Sequence, residues 1–437
     1  MQEKTDKTID LVQIIDEGAW SRYQKQILGL LALVFAVDGL ANQSLGVTLP
    51  ALIADWGGAK SDFAPVAAAN FIGIATGLVV GGMIGDRFGR RRGLIASVML
   101  FGAMTLACML TEGIPSLMFF RLLDGIGIGG ATCNGAAMIV EITPKRHRGK
   151  AIAFTMVFLP IGGMLAGLIG ATLLPTLGWR AMFAAAGLLP LLLAGVFIAK
   201  IPESPSSLIR RSDDDELLRK LLAKFGAEIP AGTTVTTQIA TQNKIPFVTL
   251  FMAGRGLNTL LLWGGFVTCL MATHSMSCWV PTVRTSMSCG CFAASSGVTL
   301  FSFGSVIGSI TSGVLVDRLG YRIAHTILCA SGVFMSVALT LLIGRDALPP
   351  IGVFLFVLSV GFFTAGIHNS LYTLAATLYP ANIRGTGVGS AAAFGRLGAV
   401  LSSYSGVMSL EHGGPQGFFG LIALLLGLCL MTSFAKA

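Results

Sequence analysis

The stretch GGMIGDRFGRRR (residues 81–92) recurs in altered form as SGVLVDRLGYRI (residues 312–323), and this repeat decides the fold. Asp86 and Asp317 hold the same place in the two copies. Further pairs of identical residues keep nearly the same separation along the chain: Asn134 and Asn369, Pro144 and Pro380, Arg148 and Arg384. Such agreement indicates a duplicated unit, as in transporters built from two parallel halves.

The composition places both copies in a membrane. Of the 437 residues, 54% are hydrophobic and 12% charged, and the mean hydropathy is +0.78, whereas a soluble domain is about 25% charged. Apolar runs of about 20 residues, each able to cross a bilayer, follow one another along the chain. They predict an all-α membrane protein with twelve transmembrane helices in two pseudo-symmetric six-helix bundles, at 27–54, 63–85, 94–111, 115–141, 151–174, 181–200, 257–281, 292–316, 324–343, 350–376, 386–409 and 416–434.

The net charge of +9 is a topology signal and needs no nucleic-acid partner. If both termini lie on one side, 24 of the 30 Lys and Arg residues fall in segments on that side. The positive-inside bias then makes this side cytoplasmic. The N-terminal residues have mixed charges and no cleavage site after an apolar core. We therefore expect a first apolar run that stays as a membrane helix.

The predicted organisation has four parts: a cytoplasmic N-terminal tail over 1–26, a six-helix bundle over 27–200, a cytoplasmic linker over 201–256 and a second six-helix bundle over 257–437. In the linker, DDDELLRKLLAKFG (213–226) predicts a short amphipathic helix. Its acidic start and basic end suit the helix dipole. We expect this helix near the membrane surface, and we expect no catalytic domain in the linker.

One predicted span, VGSAAAFGRLGAVLSSYSGVMSL (388–410), carries a full charge near its middle, Arg396. A central arginine costs about 2.5–3.5 kcal/mol on insertion scales. Because a guanidinium can bind a carboxylate through two hydrogen bonds, we expect Arg396 to bind an anionic substrate. Asp38 lies at a similar depth in the first span, with Asn42 one turn later, and is a candidate proton carrier. The alternative is a purely structural pair between Asp38 and Arg396.

These motifs resemble those of the major facilitator superfamily. GDRFGRRR (85–92) and its copy VDRLGYR (316–322) are similar to that superfamily's motif between spans 2 and 3 and between spans 8 and 9. Arg121, followed by DGIGIGG, resembles its fourth-span motif, and PESP ends the sixth span as in several of its families.

Within the superfamily, three segments resemble the aromatic acid:H+ symporter family: VDGLANQSLGVTLPAL (37–52), WVPT (279–282) and RGTGVGSAAAFGRLGA (384–399). That family usually has a second acid three residues after the first in span 1, where this chain has Ala41. The resemblance implies a major facilitator fold in a bacterial inner (plasma) membrane. It also implies proton-coupled import of acids such as 4-hydroxybenzoate, protocatechuate, vanillate or gallate by alternating access, without a cofactor. The chain shows no dimerisation device, so we expect a monomer.

Position along the spans and the resemblance together select the candidate site residues. Substrate binding is predicted for Arg396, Arg121, Asn42, Trp279, His274, His368 and Asn369. Proton coupling is predicted for Asp38, Asp124 and Glu141, and a conformational gate for Asp86, Arg90, Arg91, Asp317 and Arg322. Several alternatives stay open: a structural ion pair between Arg121 and Asp124, a gate salt bridge at Glu141, packing roles for the two histidines, and an interfacial anchor at Trp279.

Other functions also stay open. The substrate could be a different small organic anion, such as muconate or shikimate, or a sugar or polyol, which PESP favours. Span 7 lacks the paired glutamines usual in sugar carriers of the superfamily, and a buried arginine suits an anion better. No enzyme is expected, because the five histidines are scattered and no HExxH-like spacing occurs. None of the eight cysteines has metal-ligand spacing, so no metal site is predicted.

Overall fold

The computed structural model describes residues 8–210, 215–226, 234–236, 247–252, 255–286, 291–343, 350–380 and 383–434. The long helices are Arg22–Trp56, Ala64–Phe88, Arg90–Ala107, Ile114–Ile142, Arg148–Lys200, Gly256–Ser286, Cys291–Leu319, Tyr321–Ile343, Pro350–Leu378 and Arg384–Leu430. Short helices cover Leu11–Glu17, Pro205–Arg210 and Asp215–Phe225, and 3-10 turns cover Lys60–Phe63, Cys108–Leu110, Lys145–His147, Phe247–Leu250 and Met431–Phe434. The short strands Thr8–Asp10 and Thr234–Thr236 pair in parallel.

Two of these long helices are bent pairs. Gly178 (φ 75°) interrupts Arg148–Lys200, and Gly414 (φ 58°) interrupts Arg384–Leu430. A positive φ suits glycine because it has no Cβ, so these residues mark where the chain turns back. Within the ranges that the structure describes, ten helices are long and apolar enough to cross a membrane. With the two bends they provide twelve spans, which confirms the prediction. We number the spans 1 to 12 along the chain.

Spans 5 and 6 are thus 148–177 and 179–200, and spans 11 and 12 are 384–413 and 415–430. The two bends have the same separation along the chain as Arg148 and Arg384, which extends the internal repeat to the sixth and twelfth spans. We call the end of the bundle that carries Leu11–Glu17 and Asp215–Phe225 the linker end. The opposite end, which carries the turn Lys60–Phe63, is the far end.

Glycines let two pairs of helices approach closely at equivalent places. A Cβ on Gly162 of span 5 would lie 1.8 Å from the carbonyl oxygen of Ala36 in span 1. A Cβ on Gly398 of span 11 would lie 2.0 Å from the carbonyl oxygen of Val267 in span 7. Gly162 and Gly398 have the same separation along the chain as the two bends, so one close contact is built twice. Small residues at helix interfaces have this use in membranes.

A second duplicated contact uses asparagine. In the first half, the Asn134 side-chain amide donates to the carbonyl oxygen of Gly81 at 2.9 Å and ties span 4 to span 2. In the second half, the Asn369 amide donates to the carbonyl oxygen of Ser309 at 3.3 Å and ties span 10 to span 8. Both asparagines therefore belong to the scaffold that the two halves share.

The predicted amphipathic linker helix is present as Asp215–Phe225. Its apolar face is buried by protein: Leu222 and Phe225 line a small cleft with Ile14 of the tail helix, and the Phe225 and Tyr23 ring centroids are 6.2 Å apart. The apolar face of this helix therefore packs on the N-terminal tail.

The two halves contact each other in the part of the bundle nearer the far end. The backbone N–H of Ser61 donates to Glu411 at 3.0 Å, which joins the turn after span 1 to the end of span 11. A Cβ on Gly46 of span 1 would lie 2.6 Å from the carbonyl oxygen of Ser277 in span 7. These contacts close the space between the halves at the far end.

Candidate functional site

Arg396 lies on a helix that is held tightly against its neighbour. The glycines on either side of it, Gly395 and Gly398, bring span 11 against span 7, where Cβ atoms would lie 2.6 Å from Leu270 Cδ1 and 2.0 Å from the Val267 carbonyl oxygen. Because backbone contacts fix this helix, the guanidinium projects from a rigid element. The side chain itself is half-buried.

Arg396 makes no hydrogen bond or ion pair with any residue that the structure describes. Its charge nevertheless acts electrostatically on four side chains from three other spans: Asp38, His274, His368 and Tyr372. The guanidinium is therefore within electrostatic range of both halves, since Asp38 belongs to the first and the other three belong to the second. A cation in this position is available to a ligand.

Asp38 is nearly fully buried, with 4% of its surface exposed. Its carboxylate accepts a hydrogen bond from the Thr132 hydroxyl of span 4 at 3.0 Å. It makes no ion pair with Arg396, so the structural pair considered for these two residues does not form here. Asn42 follows one turn later and is half-buried, on the same face of span 1.

The second central arginine is neutralised. Arg121 Nη1 lies 2.7 Å from Asp124 Oδ2, and the two side chains are 1% and 0% exposed. Asp124 also accepts hydrogen bonds from Thr105 at 2.9 Å and from Asn70 at 3.2 Å. Arg121 Nη1 in addition donates to the carbonyl oxygen of Ala41 at 3.2 Å. This network joins spans 1, 2, 3 and 4 and favours the structural alternative for both charges.

Aromatic rings accompany both predicted histidines. The His274 ring lies 4.5 Å from the Phe71 ring of span 2, and the His368 ring lies 5.1 Å from Tyr372. Phe266 of span 7 completes this group at 6.2 Å from His368. Nε2 of His368 is buried and has no hydrogen-bond partner within the described part of the chain. A buried polar atom of this kind is costly unless a ligand or water satisfies it.

Sequence reasoning missed Phe71, Phe266 and Tyr372. The chain contains 27 phenylalanines, most of them in apolar helices. Proximity along the helix to His274 and His368 was the one available signal, because Phe266 and Tyr372 lie two helical turns and one helical turn from them. Which face of a span meets the centre depends on its rotation in the bundle, which the residue pattern of a nearly uniform apolar helix leaves open.

Two residues predicted to bind substrate are engaged in packing. Trp279 is fully buried, and a Cβ on Gly406 of span 11 would lie 2.6 Å from its Cδ1 atom. The ring therefore packs between spans 7 and 11 and is not an interfacial anchor. Asn369 makes the scaffold contact with Ser309 described above.

The predicted gate residues of the first half form one network at the linker end. Arg90 binds Asp86 at 2.6 Å and Glu141 at 3.3 Å. Arg91 contributes its backbone N–H, which donates to Glu203 of the PESP segment at 3.0 Å. Glu141 thus makes the salt bridge that was one of its two predicted roles. Glu203 belongs to the PESP motif but was not among the predicted gate residues.

The second copy of this motif has a different setting. Asp317 and Arg322 are exposed at the linker end, and the Arg322 guanidinium lies 6.0 Å from the Tyr321 ring centroid. The first copy of the motif thus makes a salt bridge to span 4 and a hydrogen bond to the linker, while the second copy lies at the surface.

Comparison with known proteins agrees with this architecture. A family model described as Major Facilitator Superfamily matches residues 31–403 and 292–436. A gallate transporter of Pseudomonas putida is 32% identical over 100% of this chain and 95% of its own length. The 4-hydroxybenzoate transporter PcaK of Pseudomonas putida is 30% identical over 94% of this chain and 92% of its own.

Among solved structures, the xylose transporter XylE from E. coli, in a partially occluded inward-open conformation, superposes with a TM-score of 0.73. The match covers 94% of this chain and 97% of that chain at 19% sequence identity. At this identity the likeness bears on the fold alone.

Proposed function

This chain belongs to the major facilitator superfamily and is a multi-pass membrane transporter, and on that premise we propose that it imports an aromatic carboxylate together with a proton. The proposal places it in the inner membrane of a bacterium as a monomer, with the linker end in the cytoplasm. Its relatives named for gallate and for 4-hydroxybenzoate support an aromatic acid as the substrate.

The observation that carries the proposal is the contrast between the two central arginines. Arg121 is neutralised by Asp124, whereas Arg396 has no partner among the described residues and acts electrostatically on groups of both halves. A half-buried arginine without a counter-charge inside a membrane span is costly unless it faces water or serves a ligand. A carboxylate satisfies a guanidinium through two hydrogen bonds, and the rings of Phe71, Phe266 and Tyr372 provide surfaces on which a benzene ring packs.

Asp38 is proposed as the proton carrier because of the charge balance around Arg396. With Asp38 ionised, the two charges sum to zero; with Asp38 protonated, the site carries one positive charge and favours an anion. By linkage, a bound carboxylate favours the proton on Asp38 to the same extent. The Thr132 hydroxyl can serve both states, since a hydroxyl donates to a carboxylate and accepts from a carboxylic acid.

Alternating access then uses the two ends of the bundle. The contacts near the far end, including that between Ser61 and Glu411, close this side of the bundle. In this state the substrate would be released toward the linker end. The network of Asp86, Arg90 and Glu141 is proposed as part of the gate that closes the linker end in the opposite state.

Uptake by cells that express the full chain tests the proposal. We expect labelled gallate or 4-hydroxybenzoate to accumulate, a protonophore to abolish accumulation, and Arg396→Ala to lose uptake at an unchanged level in the membrane. Arg180→Ala is the matched control, because Arg180 is half exposed and lies 3.8 Å from Asp55 near the far end. Normal uptake by Arg396→Ala would show that the carboxylate binds elsewhere. Competition with benzoate, protocatechuate, vanillate, muconate and shikimate then separates aromatic acids from other anions.

A further inference from the structure

A compact group of metal-ligating side chains lies in the second half, away from Arg396. His325 and Cys329 are one turn apart on span 9, and Cys429 comes from span 12. The His325 ring and the Cys329 and Cys429 sulfurs offer one ligand atom each, and these atoms all lie within 4.8 Å of one another. All three side chains are buried, with at most 1% exposed. Along the sequence these residues have no metal-site spacing, because the fold brings them together from distant positions.

Hydrogen bonds orient the histidine toward the thiols. His325 Nδ1 lies 2.7 Å from the Ser370 hydroxyl, and that hydroxyl donates its own proton to the carbonyl oxygen of Ile367. The Thr432 hydroxyl has the same setting at Nε2, because it donates to the carbonyl oxygen of Cys429, so either ring nitrogen can carry the proton. The tautomer protonated on Nδ1 presents the Nε2 lone pair to the thiols. Nε2 lies 3.5 Å from the Cys329 sulfur. Metal-bound histidines have this arrangement, with one nitrogen held by a neighbour and the other facing the ion.

Two further groups border the cluster. The Thr432 hydroxyl lies 2.6 Å from His325 Nε2, so it turns away or becomes a ligand when an ion binds. The Cys269 thiol of span 7 contacts Cys429. Cys269 also donates to the Thr364 carbonyl oxygen at 3.7 Å, so it stands beside the ligands and supports the Cys429 sulfur.

The cluster is not part of the scaffold that the two halves share. When the two halves are aligned with the sequence offset between Asp86 and Asp317, His325 and Cys329 correspond to Leu94 and Val98. Both of these first-half residues are buried. At the separation of the two bends, the position that corresponds to Cys429 is Leu193. Apolar packing therefore suffices at this place in the first half, whereas the second half has one imidazole and two thiols there.

We propose that His325, Cys329 and Cys429 bind a zinc ion that links span 9 to span 12. Two thiolates and one neutral imidazole bring the total charge with Zn²⁺ to zero, which suits a buried site in a membrane protein. Sulfur and imidazole ligands select zinc over magnesium or calcium, which prefer oxygen. Binding releases the two thiol protons to solvent.

Cobalt is a direct probe of this site, because Co²⁺ occupies zinc sites and gives visible absorption in tetrahedral thiolate coordination. The full chain, purified in detergent with its affinity tag removed and treated with a chelator, is titrated with Co²⁺. We expect thiolate-to-cobalt charge-transfer bands that zinc abolishes, and about one zinc per chain by elemental analysis. A spectrum that shows only the weak bands of octahedral Co²⁺, with no charge-transfer band, would overturn the proposal. This outcome needs no variant.

Variants locate the ion. The double variant Cys329→Ser/Cys429→Ser and the single variant His325→Gln should lose the bands and the bound zinc. Cys133→Ser, in span 4 of the first half, is the matched control and should keep both. Zinc should raise the melting temperature of the wild-type chain and of Cys133→Ser but not of the double variant. Bands that persist in the double variant would place the metal elsewhere and refute these ligands. Arg396 takes no part in metal binding. The zinc proposal is therefore tested independently of the transport proposal.

Discussion

The two halves of this transporter share a scaffold and differ in their charges. Gly162 and Gly398 make the same close helix contact, and Asn134 and Asn369 tie equivalent spans together. Groups that the fold needs have therefore been kept in both copies.

The central charges follow the opposite pattern. The first-half position that corresponds to Arg396 is Pro160, and the second-half position that corresponds to Asp38 is Cys269. The ion pair of Arg121 and Asp124 corresponds to Phe356 and Ser359. Each half lacks the central charges of the other half and still has the same fold. The fold itself therefore does not need these charges. We infer from this difference that Asp38 and Arg396 serve a function that is carried out between the two halves. Arg121 and Asp124 instead meet a structural requirement that only the first half has.

The largest expected effect separates these two explanations. Asp124→Asn leaves the Arg121 guanidinium buried without its counter-charge, which should cost about 3–5 kcal/mol of stability. Arg396→Met removes a charge that already has no described partner, so stability should stay the same or rise while uptake is lost. Melting temperatures of the purified variants measure the difference. Equal losses of stability in the two variants would contradict the division between a structural and a functional arginine.

The double variant Arg121→Met/Asp124→Leu is the control for this prediction. Removing both members of a buried pair and keeping their volume is often neutral or stabilising. Recovery of the melting temperature would show that Asp124→Asn acts through the unpaired charge and not through lost packing.

The sequence predicted the parts of this division that depend on position along the chain. The twelve spans, the internal repeat and the mid-span depth of Arg396 are readable because hydropathy and residue offsets are one-dimensional. The partners of Asp124 were not readable, because Thr105 and Asn70 come from other spans and their approach depends on how each helix is rotated.

The next prediction tests the shared scaffold. Gly162→Ala and Gly398→Ala each place a methyl group against a backbone oxygen, at 1.8 Å and 2.0 Å, so the helices must separate. Overpacking of this kind costs about 1–3 kcal/mol. We expect similar falls in melting temperature for both variants. Gly264→Ala is the control, because a Cβ there meets nothing within 4 Å. A loss confined to one half would show that the duplicated contact has lost its role in the other.

Asp38→Asn tests the charge that only the first half carries. A side chain that cannot ionise removes the coupled proton, while Arg396 still binds the carboxylate. Exchange of labelled for unlabelled substrate should therefore persist, and accumulation driven by a pH gradient should be lost. The loss is about tenfold for a gradient of one pH unit, which is worth about 1.4 kcal/mol per proton. Full accumulation in Asp38→Asn would move the proton to another group, with His274 and His368 the next to be tested.

The smallest effect concerns the contact between the halves at the far end. Glu411→Gln weakens the hydrogen bond from the Ser61 backbone, an exposed contact worth at most about 1 kcal/mol. The halves should then separate more often at this end. A cysteine introduced by Ser277→Cys should therefore react faster with an impermeant maleimide. The increase in rate is at most about fivefold, because about 1.4 kcal/mol corresponds to a factor of ten. Asp62→Asn is the matched control, because the Asp62 carboxylate accepts a hydrogen bond from Ala59 within its own turn. A rate that stays unchanged in Glu411→Gln, or that rises equally in Asp62→Asn, would mean that the helix contact between Gly46 and Ser277 holds the far end closed without help from this hydrogen bond.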